Sequence, residues 1–263
     1  MIRAMMTAAS GMKAQEMQVD TIANNIANAN TSSFKKSELS FRALLYQTYQ
    51  EPGAATAQGQ RKPIGLQVGT GTEVAGSSKI FKQGELEPTS NTYGMGLEGE
   101  GFFRVKIPNN GEVRYTRDGD FHRSSTGQLV TTDGYVLDPP IRIPDNAIAA
   151  TIGQDGTVEI MISESGTAQQ VGQVNLYRFP NPGGLKAQSG NLLSETSSSG
   201  TATQAIGGQN GTGVIRQGYR ERSNVETVDE LVGLIIAQRN YEVNSRAIKV
   251  SDEMMQQVNQ LVR

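Results

Sequence analysis

The sequence predicts an α+β protein in which long N- and C-terminal helices form a coiled-coil-like layer, joined by an extended β spacer to an irregular, mostly-β outer domain. Three observations predict it. Apolar and small residues recur in three-four steps at both ends of the chain, the pattern of a helix that wants a partner. Short glycine-rich runs of alternating residues follow the first helix. Turn dipeptides then divide the middle of the chain into β-prone runs about ten residues apart, as in a sandwich or irregular barrel. The expected division is residues 1–33 with 224–263 as a terminal-helix core, 34–84 as a spacer arm, and 85–223 as the β-rich outer domain.

At the N-terminus, Ile2, Met5, Ala9, Met12, Val19, Ala23 and Ile26 make an a/d seam whose one vacancy is Glu16. Asn24, Asn25, Asn28 and Asn30 favour an end near 28–30, because asparagine is a poor helix former that tolerates left-handed backbone. Residues 34–50 read as a short helix or an extended arm, and 51–63, small, polar and bounded by proline, as a loop. Two or three short strands with tight bends are expected over 64–89.

Further strands are expected at Gly101–Ile107, Glu112–Arg117, Gln128–Thr132, Tyr135–Asp138, Thr151–Gly153, Val158–Ile162, Val171–Phe179 and Gly213–Arg220. The turns between them are Asn109-Asn110-Gly111, Asp118-Gly119, Thr126-Gly127, Asp133-Gly134, Asp155-Gly156 and 181–184. The Ser/Thr/Gly-rich stretch 194–213 reads as a linker or long surface loop.

Ser223 followed by Glu226 has the form of a capping box opening a helix at about Asn224 that runs to the end. On it Val225, Val228, Leu231, Val232 and Ile235 make one face. Leu234, Ala237, Tyr241, Asn244, Ile248, Ser251, Met255, Val258 and Val262 make a seam, in which Asn244 is the kind of polar residue that fixes register. Seven small or medium side chains are a thin seam for one intrachain partner. The expectation is that both terminal segments are disordered alone and become helical when neighbouring copies complete them; an ordinary antiparallel pair is the simpler alternative.

Composition narrows the function. The chain has 263 residues, net charge -2, no cysteine, no tryptophan and a single histidine. There is no basic tract for nucleic acid, and thiol chemistry and cysteine-based metal sites are excluded. No apolar run is long enough to span a bilayer. Lys13, Glu16 and Asp20 interrupt the start where a secretory signal would be apolar, so export without a cleavable signal peptide is expected.

Asp118, Asp120 and His122 alternate, but no second carboxylate cluster completes a metal set, and Asp-Gly there favours a turn. Gly99-x-Gly101 follows no strand-to-helix crossover and reads as a tight bend, not a phosphate cradle. No catalytic residues, cofactor or metal are expected. The candidate functional residues are instead assembly residues: Met5, Met12, Glu16, Val19, Asn24, Asn25, Ile26, Asn28, Phe34, Lys35, Asn224, Val225, Leu231, Ile235, Tyr241, Asn244, Ile248 and Met255. For the asparagines and Tyr241, helix termination and ordinary packing stand as alternatives.

Residues 23–28 (Ala-Asn-Asn-Ile-Ala-Asn) with Thr31 and Phe34-Lys35 resemble the signature of bacterial flagellar rod and hook proteins, except that Ser33 stands where glycine is usual. Ser223-Asn224-Val225, Glu230-Leu231-Val232 and residues 237–245 resemble that family's C-terminal helix. Gly84-x-Leu86, residues 99–103, residues 115–121 and Gly134-Tyr135 continue the likeness through the middle, with a departure at Ser90 and 92–96. Leu44 to Thr48, Pro52-Gly53 and residues 65–71 lie nearest the rod members.

The resemblance implies a structural subunit that stacks helically on copies of itself into a hollow drive shaft, with paired terminal helices lining an export channel. It implies proximal rod and hook proteins as neighbours at the two ends, ring or bushing proteins around it, and passage through the flagellar type III export apparatus into the periplasm. Within the family a proximal rod or hook subunit is an alternative. From a different class, so is a periplasmic β-domain binding protein dimerised by its terminal helices.

Overall fold

The computed structural model describes residues 2–51, 64–108, 111–162, 168–209 and 211–261. Most of the expected 51–63 loop, the Asn109-Asn110 turn residues, Pro52-Gly53 and Val262 lie outside the described residues. The chain forms an N-terminal helix, a C-terminal helix and a mostly-β middle, an α+β fold. It divides into two compact units: a helical unit of Met1–Ala27, Ser37–Ser78 and Glu226–Arg263, and a β unit of Asn28–Lys36 and Lys79–Val225.

In the helical unit, helix α1 (Ile2–Ala27) ends in turns over 28–30, where three asparagines in five residues stop helix propagation. Helix α2 (Thr227–Leu261) opens with Asp229 and Glu230 in its first turn, acids suited to the positive end of the helix dipole. The capping box does not form as expected. The Ser223 hydroxyl accepts from the Val225 amide at 3.3 Å, and the helix begins later, at Thr227.

The helices run antiparallel. Asn25 bonds Glu230, Ile22 lies against Gly233, and Gly11 lies against Asn244, equal strides in opposite directions. Where residues 34–50 could have been helix or arm, they are strands: Ser37–Ala43 pairs with Thr72–Lys79, and Tyr46–Gln50 pairs antiparallel with Leu66–Gly69. The second ribbon is tied to α1 where the Arg3 guanidinium donates to Tyr49 Oη and Gln47 Oε1.

The β unit is built on a nine-stranded sheet. Its central strand, Phe102–Lys106, pairs antiparallel with Val113–Thr116, Val136–Leu137 and Leu176–Arg178. Successive side chains on a strand face opposite ways, and here both faces are covered. Phe103 packs edge-on to Phe121 within the main core of Met95, Leu97, Val105, Leu129 and Leu176. Phe102 packs edge-on to Phe179 in a second, aromatic cluster with Tyr115 and Tyr177. A three-stranded sheet (Ala149–Ile152, Thr157–Met161, Gln169–Gln173) and two strand pairs, Met95–Glu98 with Val214–Gln217 and Leu86–Pro88 with Tyr219–Glu221, complete the unit.

Four expectations about the β unit are corrected. Val171–Phe179 is two strands in different sheets, and Gly213–Arg220 breaks at Gly218, whose φ is 73°. Asp118-Gly119 is not a hairpin turn: the flanking strands pair with other partners, and the Gly119 carbonyl accepts instead from the Met95 and Phe121 amides. The 194–213 stretch is not a free linker, since it holds the strand Thr203–Ala205 and fully buries Ser199.

Candidate functional site: the assembly surface

The face that α1 turns toward α2 is not the stripe of its larger apolar residues. The buried residues of α1 are Ala8, Ala14, Ile22 and Asn25. The contact line through Ala8, Gly11, Ile22 and Asn25 is offset from the expected seam of Ala9, Met12, Ala23 and Ile26 by one residue, about 100° around the helix. The reason is size. A Cβ added at Gly11 would stand 3.0 Å from Asn244 Nδ2, and one at Gly233 would stand 3.4 Å from Ile22 Cδ1, so small residues let the backbones approach. Ala237 is buried on the facing side.

The expected stripe is thereby only partly covered. Met5, Met12, Val19 and Ile26 are half-buried, and Glu16 and Asn24 are exposed. On α2 the expected seam does face inward at Ala237, Asn244, Ile248, Ser251 and Met255, but Tyr241 is exposed. The other face is open: Val228 is 70% exposed, Val232 51% and Ile235 53%, with Leu231 beside them. Each helix of the pair thus carries apolar surface that its partner within the chain does not cover.

Asn25 has a specific task. Its Nδ2 donates to Glu230 Oε2 at 3.1 Å and to the Ser37 carbonyl at 3.0 Å, while its Oδ1 accepts from the Ser37 amide at 3.0 Å. An amide has a donor and an acceptor side by side, which is what a strand backbone presents. One side chain therefore closes α1 onto α2 and onto the first strand of the spacer. Asn28 is half-buried and accepts from Thr31 Oγ1 at 3.1 Å.

Four other candidates sit in the β unit. Phe34 and Lys35 are buried, Asn224 and Val225 half-buried. Lys35 Nζ reaches Glu221 Oε1 at 2.6 Å, and Arg117 Nε reaches Glu221 Oε2 at 2.9 Å, all three side chains being almost wholly enclosed. Two cations share one carboxylate. Burial pushes the Lys35 ammonium down to about 8, Glu221 opposing and Arg117 adding to the fall. Ser33 holds a φ of 55°, the left-handed region, which is the physical reason a glycine suits this place in the motif. Its hydroxyl donates to the Arg117 carbonyl at 3.0 Å.

Arg117 lies in the 115–121 motif, but no sequence pattern pairs it with Glu221, which stands 104 residues away. Glu230 likewise stands in the C-terminal motif, but neither it nor Ser37 is marked by sequence as a partner of Asn25. Ala8, Gly11, Ala14 and Gly233 did carry a signal, small residues at seam spacing. Asp118, Asp120 and His122 are occupied locally. Asp118 Oδ1 accepts from the Asp120 amide at 3.2 Å, and Asp120 Oδ1 accepts from Asn91 Nδ2 at 2.8 Å. Burial raises the Asp118 carboxyl above its ordinary range. Among the described residues no helix is long and apolar enough to cross a membrane.

Comparison with known proteins adds a second line of observation. A family model described as flagella basal body rod protein matches residues 5–35, one described as flagellar hook protein FlgE/F/G D1 domain matches 96–160, and one described as flagellar basal body rod FlgEFG protein C-terminal matches 216–261. The chain is 43% identical to the flagellar basal-body rod protein FlgG of Borreliella burgdorferi over 265 residues, covering 100% of both chains. Against the proteins of that name from Caulobacter vibrioides and Bacillus subtilis it is 42% identical, covering 99% of each chain, and 38% identical, covering 100% of each.

Proposed function

Since the chain belongs to the family of flagellar hook and basal-body rod proteins, we propose that it is the structural subunit of the distal rod. It polymerises helically on copies of itself into a hollow, rigid shaft that transmits torque to the hook. The observation that carries this reading is the uncovered apolar surface on both terminal helices: a face with Val228, Leu231, Val232 and Ile235 open to water is the mark of an interaction site. Neighbouring copies cover it. The residues at work are the outward ones, Met5, Met12, Glu16, Val19, Asn24, Ile26, Leu231, Ile235 and Tyr241, while Asn25, Phe34, Lys35, Asn224 and Asn244 shape the protomer that presents them.

The rest of the reading follows from the family. Residues 1–33 and 224–263 form the core layer around the export channel, 34–84 the spacer between neighbours, and 85–223 the outer domain. The subunit passes through the flagellar type III export apparatus and works in the periplasm-spanning rod. It meets proximal rod protein at one end, hook protein at the other, and ring proteins around it.

Electron microscopy of the concentrated protein is the test, and tubes are the expected result. Deleting residues 1–25 is expected to abolish them while β-sheet circular dichroism persists. Tubes formed by the deletion would overturn the role of α1. Limited proteolysis of dilute protein reads whether 1–30 and 230–263 gain protection only on assembly.

A further inference from the structure

The backbone passes between the helical and β units after Ala27, Lys36, Ser78 and Val225. Within the β unit, the stretches flanking the last three of these points, 33–36, 79–84 and 221–224, are bonded to one another. The Ser33 amide donates to the Glu221 carbonyl at 2.8 Å, the Asn224 amide to the Phe34 carbonyl at 3.3 Å and the Ile80 amide to the Lys36 carbonyl at 2.9 Å. Asn224 is the hub among side chains: its Oδ1 accepts from the Lys36 amide at 2.8 Å, and its Nδ2 donates to the carbonyls of Ile80 at 2.8 Å and Lys82 at 3.0 Å.

Beneath this mesh lies Glu221, with its side chain 1% exposed. One oxygen accepts from Lys35 Nζ at 2.6 Å and from the Gly84 amide at 2.8 Å; the other accepts from Arg117 Nε at 2.9 Å. Lys35 also donates to the Lys82 carbonyl at 2.8 Å, and Arg117 to the carbonyls of Gly99 and Gly101. One carboxylate therefore touches all three departing stretches: it belongs to the third, binds a side chain of the first and binds the backbone of the second.

We propose that Glu221 is a positioning residue whose buried carboxylate clamps together the stretches from which the chain leaves the β unit for the helical unit. The consequence is mechanical. Pulling any one stretch away separates a buried ion pair or strips a buried hydrogen bond, and the charge left behind has no water to replace its partner. The three points of departure are held as one block, not as independent tethers. This holds for the protomer by itself, whether or not it polymerises.

Hydrogen exchange on the full-length protein, resolved to residues, tests it. In Glu221→Gln, the amides of Ser33, Lys36, Ile80, Gly84 and Asn224 are expected to exchange about tenfold faster, while core amides such as Phe103, Val105 and Leu129 stay within about twofold. Unchanged clamp amides, or an equal rise across the β unit, would overturn the proposal. Should Glu221→Gln fail to fold, Lys35→Met decides, because it removes one tie and leaves Glu221 paired with Arg117. A selective rise of about threefold at Ser33 and Lys36 supports the clamp, and no change there refutes it.

Discussion

Lys35 is a cation in a place that disfavours cations. Its folded-state value is about 8 against an ordinary 10.5. Between those two pH values the unfolded chain holds a proton that the folded chain has released, so folding becomes more favourable as pH rises through the window and levels off above it. Lys79, also lowered by burial, acts in the same sense, whereas burial raises the phenols of Tyr115 and Tyr177 and opposes it at higher pH. Urea unfolding of the wild type minus that of Lys35→Met, followed from pH 7.5 to 9.5, isolates the lysine. The difference is expected to shift in favour of the wild type as pH rises. Asn25 offers a second test. Asn25→Ala strips Ser37 and Glu230 of a buried partner and is expected to destabilise the helical unit by about 1–3 kcal/mol in urea unfolding followed by far-ultraviolet circular dichroism.

Bends, as much as strands, define the elements of the β unit. Gly119 lies where a Cβ would come within 1.7 Å of the Met95 carbonyl oxygen, a backbone atom held by its own pairing. Gly119→Ala is expected to destabilise the unit by on the order of 3–5 kcal/mol, measured by thermal unfolding. This bend also shows where a sequence stops being legible. Asp-Gly correctly marked the connection between Ala149–Ile152 and Thr157–Met161, because a hairpin is a local structure with a local code. The same dipeptide at 118–119 joins two strands that do not pair with each other: the first pairs back to Phe102–Lys106 and the second forward to Leu129–Thr131, and the dipeptide does not record which neighbour a strand takes. Helix α2 was readable because its seam runs for many turns. The face of α1 was misread because large apolar residues dominate a periodicity count, whereas alanine and glycine decide how closely two helices approach.

At the scale of the whole molecule, the protomer's own helix contact and the proposed assembly surface draw on different residues. The protomer's own helix contact uses Ala8, Gly11, Ile22, Gly233 and Ala237. The open stripe uses Val228, Leu231, Val232 and Ile235. Ile235 is about half exposed, so replacing it with serine is expected to change the protomer's unfolding free energy by no more than about 1 kcal/mol. Tube formation by the same variant is expected to fail under electron microscopy. A change of several kcal/mol in the dilute protein would mean that the stripe is covered within the protomer.

The pairing of α1 with α2 also sets an order in time. Ile22 and Asn25 are made well before Glu230 and Gly233, with Asn25 and Glu230 standing 205 residues apart. Loop closure over that separation comes before any reward from the contact. The sheet's hairpins close over short loops and need no such delay. A ribosome therefore makes every strand of the β unit before it makes the second half of the helix pair, and α1 waits for its partner throughout.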